Sequence, residues 1–319
     1  MDGFENVLNR TEETDVFNSS YVMGNESNST TLPWVDVCLD TIFMVFGCLG
    51  NGLLIWVLGF RMKETGFFIY VLNLAVADFG FCALLATQIP IDLAKNDYIY
   101  GLMFCRIEQY LARVFYYAGT LLITTICLER CVAIRHPIWY KCRRPKKVPV
   151  FACALVWTIS CLLALMTLFN LELVFFCFND GCGHQCFVKD LEALKLLTTS
   201  EVILVYLLPL CTIFTCSSII VYQLTKDRKV GTKRCQVNRT VCFTALLFLV
   251  CWTPFQVSQY IHVIQLIFLP NKISLISLAG QFNSCVNPFI YVLMGREIKK
   301  KVMLSFPGLR IILKRAFNE

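Results

Sequence analysis

Apolar residues gather into seven runs, beginning near Val35, Gly66, Gly101, Val148, Leu197, Thr240 and Ile273, with short polar segments between them. Each run reaches the roughly 20 residues that a helix needs to cross hydrocarbon. Inside a bilayer every backbone polar group must be bonded internally, which leaves helices or closed barrels. The two-residue alternation of a barrel strand is absent here. The pattern predicts an all-α membrane protein: a seven-transmembrane helix bundle over residues 35–294, a polar tail over 1–34, and a cytoplasmic segment over 295–319.

Charge orients the bundle. With the amino-terminal tail outside, the inner loops and carboxyl-terminal segment hold 21 Lys and Arg against six outside. Basic loops stay on the cytoplasmic side, so this asymmetry fixes a multi-pass plasma-membrane topology with an extracellular amino terminus. The net charge of +7 then points to an anionic inner leaflet and a cytosolic partner, not to nucleic acid. The Lys-rich stretch from Gly295 to Val302 predicts a short amphipathic eighth helix lying against membrane lipid.

Four sequons, at Asn9, Asn18, Asn25 and Asn28, crowd the acidic tail, which lacks the apolar core of a signal peptide. They are expected to carry glycan, and the first span to serve as anchor. A fifth, at Asn238, falls on the cytosolic side and stays unmodified. N-glycosidase should therefore increase the mobility of the wild-type chain; a chain without any glycan would contradict the topology.

Most of the 18 cysteines lie in spans, where a small apolar packing role is the ordinary one. Cys105, Cys177, Cys182 and Cys186 sit in or near outer loops. In an oxidising compartment four cysteines read as two disulfides with three connectivities. Cys182, His184 and Cys186 also have zinc-ligand chemistry, a weaker reading in that compartment.

Polar side chains within the spans are costly and usually face the bundle interior. One marks each run in turn: Asn51, Asp78, Glu129-Arg130-Cys131, Trp157, Pro209, Cys251-Trp252-Thr253-Pro254 and Asn287-Pro288-Phe289-Ile290-Tyr291. No Ser-His-acid or metal-ligand set emerges among the three histidines, so the chain does not read as an enzyme. The internal repeats of a transporter are not visible either, which leaves a membrane transporter as the non-receptor alternative.

This ordered set resembles the rhodopsin-like family of G-protein-coupled receptors from about Val35 to Glu319, with Cys131 replacing the usual Tyr. Pro137-Ile138-Trp139-Tyr140-Lys141-Cys142-Arg143-Arg144-Pro145 and Leu313-Lys314-Arg315-Ala316-Phe317 resemble the second inner loop and tail of Mas-related receptors. Trp252 and Cys105, which many of those receptors lack, are present and mark a divergent relative. The resemblance implies heterotrimeric G proteins, of the Gq and/or Gi class, as partners. It also favours Cys177–Cys186 with Cys105–Cys182, ahead of Cys105–Cys186.

The inner-end residues suggest a switch. Arg130 beside Glu129 is expected to form a local ion pair, whose release frees the guanidinium for a G-protein backbone. Pro254 kinks the sixth span, with Trp252 toward the ligand side and Asn287, Pro288 and Tyr291 as a second weak point, so that an outer ligand biases a two-state motion. By resemblance, Asp78 with Asn283 and Asn287 forms a sodium site; Gly119 stands where a hydroxyl ligand usually does, and a hydrated network without an ion is the alternative. No other cofactor is implied. After Tyr291 the only hydroxyl is Ser305, so tail-dependent arrestin binding is expected to be weak. Truncation after Phe306 should change arrestin recruitment little; a large loss would overturn that expectation.

For the ligand, Ala112 stands where amine receptors of this family carry Asp, which disfavours a small monoamine. Arg113 next to it either binds a ligand acid or, as buried charges ordinarily do, pairs internally with Glu108 or another acid. Glu172 and Asp190 resemble the acidic pair by which some Mas-related receptors take basic peptides and cationic amphiphiles. Asp92, Asp97 and Glu108 add to that field. Tyr116, Trp252, Gln256, Gln259, Tyr260 and Gln281 complete the expected lining. An extracellular basic peptide or cationic amphiphile is thus the expected ligand, with an acidic lipid or organic acid bound through Arg113 as the alternative.

Overall fold

In the computed structural model the described residues are 33–62, 66–94, 97–178, 181–188, 190–226, 232–265, 270–294 and 296–305. The glycosylation positions Asn9, Asn18, Asn25 and Asn28 lie outside them. The helices are α1 (Pro33–Trp56), α2 (Gly66–Leu93), α3 (Leu102–Arg135), α4 (Pro137–Cys142), α5 (Val148–Asn170), α6 (Leu191–Ser200), α7 (Leu208–Lys226), α8 (Thr232–Gln265), α9 (Pro270–Met294) and α10 (Arg296–Ser305). A π-helical segment, Val57–Arg61, extends α1, and another, Glu201–Leu207, fuses α6 and α7 into a single span.

Among the described residues six helical stretches are long and apolar enough to cross a membrane, the last being Val241–Ile261 within α8. The seventh span is α9, whose 25 residues reach about 37 Å at the standard helical rise, longer than the hydrocarbon core. Its polar residues, among them Asn271, Lys272, Gln281, Asn283 and Asn287, dilute its apolarity, and it packs against α1 and α8. The surface is inverted relative to a water-soluble protein. Phe60, Leu49, Phe151 and Phe214 are exposed, whereas Asn51, Asp78, Asn283 and Asn287 are buried. That distribution fits a lipid-facing exterior with polar groups satisfied inside.

Close packing around α1 explains its small residues. A Cβ on Gly47 would stand 2.3 Å from Cys82 Sγ, and one on Gly50 would stand 2.8 Å from Pro288 Cγ. Next to Gly50, Asn51 donates to the Gly47 carbonyl at 3.0 Å and to the Ser284 carbonyl at 3.1 Å, joining α1 to α9. Trp157 on α5 donates its indole N–H to Asn73 on α2 at 2.9 Å. The Trp and Asn that interrupt these runs are therefore cross-span fasteners.

Outside, β1 (Leu171–Phe178) and β2 (Gly181–Val188) form an antiparallel hairpin in the register Leu171↔Val188 to Phe178↔Gly181. Among the contacts that seat it on the bundle are the Cys105–Cys186 disulfide, Arg106 Nε donating to the Leu171 carbonyl at 3.0 Å, and the Tyr98 N–H donating to the His184 carbonyl at 2.8 Å. The expected pairing is corrected here. Cys186 is bonded to Cys105, which excludes both Cys177–Cys186 and Cys105–Cys182 and also removes Cys186 as a zinc thiolate. Cys177 instead faces Cys182 across the ladder, Cα to Cα. On the inner side α10 is amphipathic: Ile298 and Val302, one turn apart, are buried, while Lys300 and Lys301 are exposed.

A candidate ligand pocket and its link to the inner face

The pocket starts on α3, where Arg113, Tyr116 and Tyr117 fall within a turn and a half. Arg113 pairs through Nη1 with Glu201 in the π-helical segment of the fifth span. Tyr117 donates its hydroxyl to Glu201 Oε2 at 3.2 Å. Gln256 on α8 donates both to Glu201 Oε1 at 3.2 Å and to the Tyr116 hydroxyl at 2.7 Å. The Tyr116 ring lies 4.2 Å from that of Trp252, centroid to centroid, and Trp252 meets Phe81 and Phe255 edge-on. One continuous set of contacts thus joins the third, fifth and sixth spans and ends on Trp252.

Arg113 is therefore paired, but not with Glu108. Glu108 is buried and accepts from Thr87, Gln88 and Tyr98, and its bond to Tyr98, with burial, raises that phenol above its ordinary range. Glu201 was the residue missed. It is the only acid between Leu197 and Lys226, and an isolated acid in an apolar run is itself a sign of a buried partner.

Gln259 and Tyr260, three and four residues after Gln256, share its face of α8; Gln259 is half-buried and Tyr260 exposed. Gln281 hydrogen-bonds Asp40 on α1 and so serves the seam between α1 and α9. Glu172 and Asp190 are exposed and flank the Leu171↔Val188 end of the hairpin, with Asp190 also capping α6 by accepting from the Glu192 N–H at 3.3 Å. Asp97 accepts from the His184 backbone N–H at 2.6 Å, holding the hairpin.

Below Trp252 lies a cavity of about 10 Å³ lined by Asp78, Gly119, Thr120, Asn283 and Ser284 among others, room for about one water or small ion. Asn287 donates to Asp78 Oδ2 at 2.8 Å. The side-chain carbonyl oxygens of Asn283 and Asn287 are buried without a hydrogen-bond partner. An all-oxygen set with unsatisfied acceptors fits a small hard cation. Tyr291, farther in, is buried with Phe248 and Val241 in the core, and Pro288 lies against α1.

At the inner end the expected Glu129–Arg130 pair is replaced. Glu129 accepts from Arg144 at 2.9 Å, Tyr140 at 2.5 Å and Tyr70 at 3.3 Å. Arg130 lies over the Phe67 ring, 4.0 Å from its centroid, and its Nε is buried without a hydrogen-bond partner. Successive residues on a helix point in different directions, so the neighbour in sequence is poorly placed, whereas the loop supplies a cation on the correct side. Burial, and then Glu129, push the Tyr140 phenol up to about 12, which keeps it a hydrogen donor at physiological pH. Because Glu129 does not restrain Arg130, Glu129→Gln should leave basal nucleotide exchange by the coupled G protein unchanged in membranes matched for receptor content. A clear rise would reinstate the local lock.

Seven spans, an outer disulfide to the third of them and a polar column down the bundle axis define a transmembrane receptor. Residues 50–291 match the model described as "7 transmembrane receptor (rhodopsin family)". The chain belongs to that family, and it is a multi-pass plasma-membrane receptor, not an enzyme. It is 31% identical to Mas-related G-protein coupled receptor member B4 of Mus musculus over 88% of this chain and 83% of the relative. It is 30% identical to Mas-related G-protein coupled receptor member X2 of Pan troglodytes over 89% and 83%. N-formyl peptide receptor 3 of Macaca mulatta is 28% identical over 99% and 93%, a kinship that the sequence motifs did not bring up.

Proposed function

We propose that this receptor takes a basic peptide or cationic amphiphile from the extracellular side and passes the signal to heterotrimeric G proteins of the Gq and/or Gi class. The observation that carries the reading is the continuous path from Glu201 through Gln256 and Tyr116 to Trp252, which links the Arg113–Glu201 pair to the Pro254-bearing sixth span. The exposed carboxylates Glu172 and Asp190 stand at the hairpin base, where they attract cations before docking. The formyl peptide receptor among the relatives is named for a peptide and supports that class of ligand. An acidic ligand held by Arg113 alone is less favoured, because Glu201 already neutralises that guanidinium.

Arg130 is the inner end of the switch, with Glu129 holding the inner loop beside it through Arg144 and Tyr140, Pro254 and Pro288 as its weak points, and Asn287 and Tyr291 as the groups that rearrange. Sodium at Asp78, Asn283 and Asn287 is part of the proposal. Asp78→Asn should remove any sodium dependence of agonist binding, and persistence of that dependence would dismiss the site. The main test is G-protein activation in cells given a panel of basic peptides and cationic amphiphiles, with Glu172→Gln/Asp190→Asn and Arg130→Ala beside the wild type. The response should be lost in both variants. A response to acids alone, dependent on Arg113, would replace this ligand reading.

A further inference from the structure

Resting on the peptide reading above, we propose that the deep subsite at Arg113 and Glu201 takes a dipolar ligand end: one anionic group and one cationic group presented together. The strongest form of such a ligand is a basic residue near a free terminal carboxylate.

Charge balance at a largely buried ion pair selects such a ligand. The Arg113 side chain is 28% exposed and that of Glu201 is 11% exposed, so the pair is partly accessible yet sits largely among protein atoms. It is neutral as it stands. A ligand with a single charge that docks there leaves a net charge in the pocket, whichever sign it carries, and a poorly hydrated charge without a partner is strongly unfavourable. A ligand with both charges keeps the sum at zero.

The unused valences point the same way. Arg113 has five N–H donors in a planar fork, and its bonds to Glu201 and to the Tyr117 hydroxyl both leave from Nη1. Its Nε is buried without any partner, an unsatisfied donor with no protein acceptor in reach. A carboxylate is the group that matches the remaining edge of a guanidinium, through two parallel bonds. Glu201 accepts from Arg113, Tyr117 and Gln256, and a ligand cation displaces the neutral Gln256 amide most easily. Gln256 is the same side chain that holds the Tyr116 hydroxyl above Trp252. Its release therefore ties recognition of the cation to the aromatic stack on the sixth span, while the carboxylate on Arg113 supplies anchoring.

The test uses four pools of N-acetylated hexapeptides of otherwise random sequence: one Arg with a free carboxyl terminus, one Arg with a terminal amide, citrulline with a free carboxyl terminus, and citrulline with a terminal amide. Each is scored by G-protein activation in cells whose surface receptor is measured in parallel. Wild-type receptor should answer the dipolar pool about 100-fold more potently than either singly charged pool, the order of effect seen when one partner of a buried charge pair is lost. Arg113→Met should shift the preference to the cationic pool and Glu201→Gln to the anionic pool. Arg113→Met/Glu201→Met, which removes both charges and leaves no buried ion, should prefer the uncharged pool.

Equal potency of a singly charged pool at the wild type would overturn the proposal, as would variants at normal surface levels that keep the wild-type order. If the cationic pool leads at the wild type and depends on Glu172 and Asp190 but not on Arg113 or Glu201, the acidic-mouth reading stands and this inference falls. Silence of all four pools at a surface-expressed receptor would remove both.

Discussion

Cys105→Ser and Cys186→Ser should each remove most surface receptor and most signalling, and the double variant should be no worse than either single one. The bond joins positions 81 residues apart, for which the chain-entropy treatment gives about 4.5 kcal/mol. That figure is an upper bound, because the bilayer already restrains the two spans inside the loop. The local consequence is as large as the global one. The bond, the Arg106 contact to Leu171 and the Tyr98 contact to His184 together hold the hairpin that carries Glu172 and stands over the pocket. Surface labelling of the intact chain and dose–response curves for these three variants, with Cys177→Ser and Cys182→Ser beside them, check this. If instead Cys105 were phenocopied by Cys182, Cys186 by Cys177, and the two losses added, the pairing described here would be wrong.

Glu201→Ala should destabilise the receptor by about 3 kcal/mol, at the low end of the cost of stranding one member of a buried ion pair because the site is partly open to water. It leaves Arg113 without a counter-charge and removes the acceptor for both Tyr117 and Gln256. Adding Arg113→Met to Glu201→Ala should restore much of the loss, since the stranded cation is then gone and an apolar side chain of similar length fills its place. Thermal inactivation of detergent-solubilised receptor measures the effect, and the pattern matters more than the size. Arg113→Met/Glu201→Ala at least as unstable as Glu201→Ala would mean that the two side chains contribute independently and that their pairing is incidental. Glu108→Gln gives a contrast: its amide oxygen still accepts from Thr87 and Gln88, its amide nitrogen meets the Tyr98 hydroxyl, which accepts as well as donates, and no cation is stranded, so its loss should be smaller.

Helical geometry accounts for both choices of partner, the one left open at Arg113 and the one overturned at Arg130. Glu108 and Arg113 are five residues apart on α3, about 140° around the helix at 100° per residue, so a direct pair between them was a poor fit from the start. Glu129 and Arg130 are neighbours and likewise face different directions. In each case the charge found its partner on another element: Arg113 in the π-helical segment of the fifth span, Glu129 in the inner loop after α4. Neither partner is close in sequence, and only Glu201 carried a local sign, as a lone acid in an apolar run. The disulfide is a third instance. Which of three loop cysteines reaches Cys105 depends on the hairpin register, and register is a property of paired strands rather than of spacing.

Number of spans, orientation and the placement of polar groups on the bundle axis were legible in the chain itself. Each depends on sums over neighbouring residues: apolar length against bilayer thickness, basic residues per loop, and the cost of a polar side chain in hydrocarbon. The same sums marked Asp78 and Asn283, which line one small cavity, and Asn287, which bonds Asp78, together with Tyr116, Trp252 and Gln256, which the structure stacks and bonds together. Tertiary structure alone decided which charge meets which, which cysteine closes the outer bridge, and that Gln281 faces Asp40 on α1. Those outcomes depend on the rotation of each helix about its axis and on the contacts between helices, quantities that a one-dimensional pattern does not contain.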